Sequence, residues 1–414
     1  MTKTDRVRNP WTSNRMRVIV TGLIAQHAKL GGVTLDYLNF VLGIHALGAE
    51  VYYVEDSGQW PYNFDGGANG RSWVAANCSE NVAELDRVFQ SIGLGDRWAY
   101  RFPVTGEWFG LSDTIRHEIV RTADVLLNVS GSLERPELYR SVSRLVYIDT
   151  DPAFTQISVL TGDEQLRSRI EAHDYHFSLG ENVSSCRLGT DHNWRPIKHP
   201  VYLPAWAHSL PCRDAFTTVM NWTSYCPVTY EGQVFGQKDM ELIRFLDLPT
   251  RVHQVRLEVA MPNLVHSAWE YPQSNWMRGP FGTPQMLLRH HGWHPVDSIE
   301  ACGDHESYHA YIISSKAEWS VAKNGYVNAH VGWFSGRSAC YLAAGRPVVV
   351  QDTGIRQHLP TGLGVFAFSD INEAAAAIDA VIGAYPQHAK AAKEIAEAYF
   401  DSDKILEDLI TVIQ

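Results

Sequence analysis

The segment MRVIVTGLIAQHAKLGGVTLDYLNFVLGIHALGAEVYYVED, Met16–Asp56, constrains the fold more than any other part of the chain. Its first six residues are β-branched and apolar enough for a strand buried on both faces. After the Gly31–Gly32 pair, apolar residues fall at Leu35, Leu38, Val41, Leu42 and Leu47, a helical spacing. Gly48 supplies the stop, and EVYYVED reads as a second strand. Strand, glycine loop, helix and strand make a βαβ unit, whose strands must run parallel with a right-handed crossover.

The alternation continues through DTIRHEIVRTA (helix), DVLLNVS (strand), RPELYRSVS (helix), RLVYIDT (strand) and DYHFSLG (strand). Residues 10–180 are therefore expected to form one doubly wound α/β domain. At 414 residues the chain exceeds one ordinary core and is expected to hold two domains. Residues 191–212, DHNWRPIKHPVYLPAWAHSLPC, contain four prolines and no period, as a linker does. FTTVMNW then restarts a strand, and KDMELIRFLDL, QVRLEVAM, YHAYIIS and RPVVVQD carry a second α/β pattern. Two helices, INEAAAAIDAVIGAY and QHAKAAKEIAEAYFDSDKILEDLI, are expected to close the chain. Residues 56–110, rich in Trp, Tyr, Asn and Gly, read as an insertion in the first domain. It serves either as a lid or acceptor-binding surface or as an aromatic cap over an exposed helix.

Charge and cysteine usage narrow the function. With 35 Lys+Arg against 46 Asp+Glu and no dense basic run, there is no footprint for gripping a nucleic-acid backbone. No apolar stretch is long enough to span a bilayer and the first fifteen residues lack an apolar signal core, so a cytoplasmic protein is expected. Six scattered cysteines, Cys78, Cys186, Cys212, Cys226, Cys302 and Cys340, include no C-x-x-C pair and read as reduced structural thiols.

The stretch GWFSGRSACYLAAGRPVVVQDTG, Gly332–Gly354, carries the sharpest functional signal. Its small residues suit a helix packed closely on a sheet, stopped at Gly345 before the strand that Pro347 opens. The first turn of that helix offers free backbone N–H groups beside Ser335, Gly336, Arg337 and Ser338, an anion site by dipole and donors. Arg337 can add a two-pronged charged contact. Together with the Gly31–Gly32 loop and two Rossmann-like halves, this stretch resembles the GT-B glycosyltransferases, in particular the group 1 family. The A-x-G-x-P-V-V-V run at Leu342–Val350 is its most family-like piece.

The resemblance implies an α/β fold of two Rossmann-like doubly wound domains facing a cleft. Residues 1–200 would bind a small-molecule acceptor, 201–385 a nucleotide-sugar donor, and the helices of 386–414 would return to the first domain. It further implies a metal-independent transferase without a separate cofactor, with Gly31, Gly32 and the SGRS turn near the diphosphate and QDTG near the donor sugar. One departure matters: retaining members carry two glutamates around this helix, and Gly332 and Cys340 stand in their places here. Stereochemistry therefore does not carry over, and the missing pair tilts the expectation toward inversion.

Glycosyl transfer needs cations for the leaving diphosphate, polar groups for the sugar and, for inversion, a base. Lys316, Lys323 and Arg337 are candidates for the first, although each lysine also reads as a solvated helix charge, Lys323 more readily so than as a ligand. Asp352, Thr353 and Gly354 follow the strand RPVVVQ, where strand ends feed a ligand crevice. For the base, YIDTDP offers Asp149 and Asp151, with Asp151 preferred because Pro152 turns the chain there, and His27 lies in the loop after the first strand. His290, His291, His294, Asp304, His305 and His309 cluster in sequence, with His305 and His309 at helical i,i+4 spacing, but without H-E-x-x-H. No metal site is assigned. Two other readings stay open. An NAD(P)-dependent Rossmann oxidoreductase fits the first βαβ unit but not its loop, which lacks G-x-G-x-x-G. A non-catalytic carbohydrate-binding protein fits the 13 Trp and 18 Tyr.

Overall fold

The computed structural model describes residues 16–62, 77–186, 188, 192–206, 213–262 and 282–414. Residues 63–76 of the aromatic stretch 56–110, and Cys212, therefore lie outside the described residues.

Two open sheets organise the molecule. The first runs β4-β3-β2-β1-β5-β6-β7-β8, built from β1 (Arg17–Thr21), β2 (Glu50–Glu55), β3 (Trp98–Arg101), β4 (Trp108–Gly110), β5 (Val125–Val129), β6 (Arg144–Asp149), β7 (Tyr175–Ser178) and β8 (Arg195–Pro196). All neighbours are parallel except β3 and β4. Its centre is apolar because helices cover both faces: Val18, Ile19, Val20, Leu126 and Leu127 are fully buried. The second sheet, β13-β12-β9-β14-β15-β16, uses β9 (Ala215–Val219), β12 (Arg256–Met261), β13 (His294–Asp297), β14 (Ala317–Ser320), β15 (Val348–Gln351) and β16 (Val365–Phe368). It is parallel throughout. A hairpin of β10 (Val228–Tyr230) and β11 (Gln233–Phe235) stands apart.

In each sheet the winding reverses beside the first strand, at β1/β5 and at β9/β14. Such switch points open a crevice at the carboxyl ends of the strands, which is where ligands bind in open α/β sheets. The two crossings between sheets run side by side. Val201 N donates to Phe400 O at 2.7 Å and Ser402 N to Val201 O at 2.9 Å. Beyond that crossing, the helix Ser402–Ile413 buries Leu406, Leu409, Ile410 and Ile413 in the cluster that holds Val18, Phe40 and Ile44 of the first sheet's layer. The helix before it, Tyr385–Tyr399, packs instead on Gly336–Ala343 of the second unit.

Several local expectations change. The stretch 56–110 is not simply an insertion: it supplies the helix Ser79–Ser91 and two strands that extend the first sheet. RPELYRSVS forms only a 3₁₀ turn, Pro136–Tyr139, since few residues separate Pro136 from the start of β6. The proline-rich segment gives its first part to the first sheet, as β8. The closing region holds three helices, because Asp401 caps a new one at Ser402.

Candidate functional site

The carboxyl ends of β9 and β14 carry a group of cations. Arg337, in the first turn of the helix Gly336–Ala343, donates through Nε to Glu318 Oε1 at 2.6 Å and through Nη1 to the carbonyl of Val219 at 2.7 Å. Glu318 is wholly buried on β14. Arg337 is thus not a surface cation; it is an inner charge fixed at the end of β9. Lys238 opens the helix Lys238–Leu242 beside it. Burial and the neighbouring charges of Arg337 and Lys323 push its ammonium well below the usual lysine range, against the pull of Glu318. Lys323, three residues past β14, is held 2.8 Å from Asp151 of the first unit and 2.9 Å from Tyr225 Oη. The rings of Phe154, Tyr225 and Tyr326 surround it, with centroids 5.2, 4.7 and 5.3 Å from Nζ. The helix Gly336–Ala343 points its N-terminus into the same region, where Ser335 does not cap it. Ser338 Oγ is buried there with no hydrogen-bond partner among the described residues. Arg337 and Lys323, each facing a carboxylate, join the Lys238 amine and one helix N-terminus in a crevice whose donors suit a diphosphate.

Other predicted residues fall elsewhere. Lys316 precedes β14, so it sits at the amino end of the sheet and pairs with Asp214 at 2.7 Å, away from the crevice. Gly31 and Gly32 do not form an open phosphate loop. A Cβ on Gly31 would stand 2.0 Å from the carbonyl oxygen of Asp304, and one on Gly32 would stand 2.9 Å from the Tyr308 ring. Their missing side chains let the helix Gly31–Ala46 pack directly on the second unit. Asp352 closes its own turn, accepting from the N–H groups of Gly354 and Ile355 at 2.9 and 3.1 Å and from Arg356 at 2.8 Å. Thr353 Oγ1 donates to the carbonyl of Trp333 at 2.6 Å, and Gly354, at φ +99°, lies against Asn182. The QDTG turn therefore anchors the 330–333 loop and the first unit, and offers no free sugar ligand.

The base candidates are also occupied. Asp149 is buried and accepts from Asp151 N, Thr155 Oγ1, Gln156 Nε2 and Ser178 Oγ at 2.7 to 3.0 Å. Burial raises its pKa, but the carboxylate is a structural acceptor sealed from any ligand. Asp151 does reach the cleft, yet its oxygens take Lys323, Tyr225 and Tyr326, all from the second unit. It is a clasp across the cleft, with Oδ1 taken by Lys323 and Tyr326 and Oδ2 by Tyr225. His27 stacks on Tyr62, centroids 5.0 Å apart, and burial lowers its pKa to about 4, so it is a neutral imidazole at pH 7.

The histidine cluster comes apart: His291 Nδ1 pairs with Asp247 at 2.9 Å, Asp304 caps the helix His305–Ser314, and His309 Nε2 bonds the carbonyl of Ala205 at 2.9 Å. Among the described residues no group of three or more His, Cys, Asp or Glu side chains could hold a metal ion. Trp108 packs under the Arg116 guanidinium at 3.9 Å on the sheet edge, whereas Trp60 keeps 48% of its surface exposed.

Solved structures share this whole architecture. An alpha-glucosyltransferase in complex with UDP and a 13-mer DNA containing a HMU base superposes with a TM-score of 0.57 at 10% identity, covering 96% of this chain and 98% of that one. HepE of Anabaena in complex with UDP-glucose gives 0.56 at 12%, covering 96% and 99%. Sucrose-phosphate synthase from Thermosynechococcus elongatus gives 0.51 at 12%, covering 96% and 98%. The chain has the GT-B glycosyltransferase fold. No protein-family model and no curated protein matches the sequence. The GT-B likeness therefore lives in the backbone, and identities of 10 to 12% leave the side chains of this cleft to be read for themselves. No helix among the described residues is long and apolar enough to cross a membrane.

Lys238 is the candidate site residue that sequence reasoning missed. Its signal was the order strand, hairpin, then lysine at a helix start, FTTVMNW through GQKDMEL, which returns the chain to the carboxyl end of the sheet it has just left.

Proposed function

We propose that the protein transfers a sugar from a nucleoside-diphosphate sugar to a hydroxyl group of a small-molecule acceptor. The observation that carries this reading is the crowding of Lys238, Lys323 and Arg337 at the switch point of the second sheet. Holding like charges together in a low-dielectric crevice is costly unless a polyanion joins them. A diphosphate supplies that charge, and stabilising it as it leaves is the main electrostatic demand of glycosyl transfer. The solved structures of the same fold that hold UDP or UDP-glucose support the nucleotide class.

Residues of the first unit face this crevice and would receive the acceptor. The net charge of −11 speaks for a small molecule over DNA, although an alpha-glucosyltransferase of this fold is solved in several complexes with DNA. With Asp149 and Asp151 both engaged by other groups, inversion through either of them loses its support, and the course of the reaction is left to the product. Calorimetric titration with UDP, GDP, dTDP and NAD tests the reading. Binding of a nucleoside diphosphate, weakened in Lys238→Met, is the expected result. Tight NAD binding with none of the diphosphates would overturn it in favour of a dehydrogenase.

A further inference from the structure

The helix Gly31–Ala46 presents one carboxylate to the cleft that none of the roles above uses. Asp36 stands in its second turn, and its side chain keeps half of its surface open to solvent. Its surroundings are nonetheless crowded: burial raises its pKa, while the His199 ring and the Arg337 guanidinium pull the other way. Water reaches the group, but the protein closes on it from several sides. Its charge is felt by Tyr308 and Cys340 of the second unit, and the His199 ring beside it lies against Gly336, at the start of the helix that bears Arg337.

The orientation of Asp36 is fixed from the hinge. His199 lies between β8 and the Val201 crossing, and its ring is 5% exposed. Its Nδ1 is 3.0 Å from the carbonyl of Pro200, and since a carbonyl only accepts, Nδ1 carries a proton. Its Nε2 is 3.3 Å from Asp36 Oδ1. Phe40 lies edge-on to the same ring at 5.8 Å, and Gly336 brings the helix Gly336–Ala343 so near that a Cβ there would meet the ring at 2.7 Å. The ring held on three sides gives Asp36 Oδ1 a fixed neighbour, while half of the Asp36 side chain stays open to solvent.

We infer that Asp36 is a specificity-determining residue for the donor, accepting hydrogen bonds from hydroxyl groups of its hexose. This rests on the donor reading above. A carboxylate repels a diphosphate, so it belongs beside the neutral, hydroxyl-bearing part of the donor. The geometry provides that division: Lys238, Lys323 and Arg337 gather on the wall of the second unit, and Asp36 projects from the first. A hydroxyl hydrogen-bonded to a charged oxygen is worth more than one bonded to a neutral group. A sugar bound in this way would bridge the two units at the hinge, and Asp36 would contribute only after both walls are in place.

The experiment is calorimetric titration of the full chain and its Asp36→Asn variant with UDP, UDP-glucose, GDP and GDP-mannose, read as the ratio of sugar-nucleotide to nucleotide affinity. In the variant, nucleotide affinity is expected to hold or tighten, because a negative charge has left a cationic cleft. Affinity for the matching sugar nucleotide is expected to fall by about tenfold or more. Equal changes for nucleotide and sugar nucleotide, or no change in either, would overturn the assignment. So would normal binding of both with lost turnover, which would make Asp36 a proton-transfer group instead. Asp36→Ser, smaller and uncharged, repeats the test if the amide disturbs folding. Wild-type protein that binds none of the four overturns the donor reading itself, and the inference falls with it; wild-type binding of a nucleotide with an unchanged ratio in the variant overturns the inference alone.

Discussion

Replacing Lys238 with Met separates the stability of this cleft from its affinity, because the two should move in opposite directions. The ammonium is buried near Arg337 and Lys323, and its pKa is depressed far below the lysine norm. A basic group whose folded pKa lies below its unfolded value destabilises the fold at low pH. That penalty disappears as pH rises through the folded and then the unfolded pKa. At neutral pH it is therefore present in the wild type, and Lys238→Met, which keeps the stem and removes the charge, should raise the thermal midpoint or leave it unchanged. Donor binding should do the reverse. A charge-assisted contact to a diphosphate is worth about 1.5 to 3 kcal/mol, so UDP affinity should drop about tenfold to a hundredfold. An incoming diphosphate also restores the basicity of Lys238, so binding takes up protons where the free ammonium has begun to titrate, and affinity falls as pH rises there. Calorimetry in buffers of different ionisation enthalpy reads that uptake directly. A stable Lys238→Met protein whose UDP affinity stays within twofold of wild type would refute the reasoning, since no diphosphate could then lie among these cations.

Arg337→Ala strands Glu318, which is wholly buried, and should cost about 3 to 5 kcal/mol. Differential scanning fluorimetry should show a fall in thermal midpoint on the order of 10 °C, partly recovered by adding Glu318→Gln; an unchanged midpoint would mean the pair is not closed in solution. Gly31→Ala places a Cβ 2.0 Å from the Asp304 carbonyl oxygen, so the two units must separate. Small-angle scattering should report a larger radius of gyration, and identical profiles would place the units differently from the packing described. Asp151→Asn removes the charge that holds Lys323 and should leave UDP affinity equal or higher, with turnover changed by less than about tenfold. A loss of about 10² to 10⁴ in turnover with normal donor binding would restore Asp151 as the base.

The strands were legible wherever burial on both faces forces a continuous apolar run, as in MRVIVT, DVLLNVS and RPVVVQ. β3 and β4 were not, because WAYR and WFG are short strands, β4 at the sheet's edge and β3 beside it, whose aromatic composition reads equally as loop. At the site, residue type was legible and occupancy was not. Asp149 and Asp151 differ by two positions at the end of β6. What separates them is that Ser178, Thr155 and Gln156 converge on one while Lys323 and two tyrosines of the other unit converge on the other. Those partners lie up to 175 positions away, so no local pattern encodes them. Lys316 and Lys323 were separable in principle. They flank the same strand, and in a parallel sheet only the residue after the strand can reach the ligand crevice.

The substitutions of the family's glutamate pair acquire a physical meaning in this arrangement. Gly332 adopts φ +70°, and a Cβ there would press on Glu181 and Asn182 of the first unit. Cys340 is buried in the core beneath the helix Gly31–Ala46, its thiol pushed well above its usual range by that burial. Both positions are used for closing the two units on each other. Carboxylates there would be enclosed in the packing between the units, where burying a charge is costly unless it is paired and hydrogen-bonded. Tight packing of the first unit on the helix Gly336–Ala343 thus leaves no room for acidic side chains at these two positions. The same packing brings an acidic side chain from the first unit, Asp36, to face the second unit's wall. A donor held between them draws its phosphate contacts from one unit and its sugar contact from the other. Hydrolysis of the donor without acceptor should then be slow in any variant that parts the units, because the carboxylate and the cations act only together. Gly31→Ala tests this coupling: UDP affinity should persist, since Lys238 and Arg337 lie within one unit, while the extra affinity contributed by the hexose should vanish. If the hexose contribution survives in a protein shown by scattering to be open, the sugar is held by the second unit alone and the two-walled site is wrong.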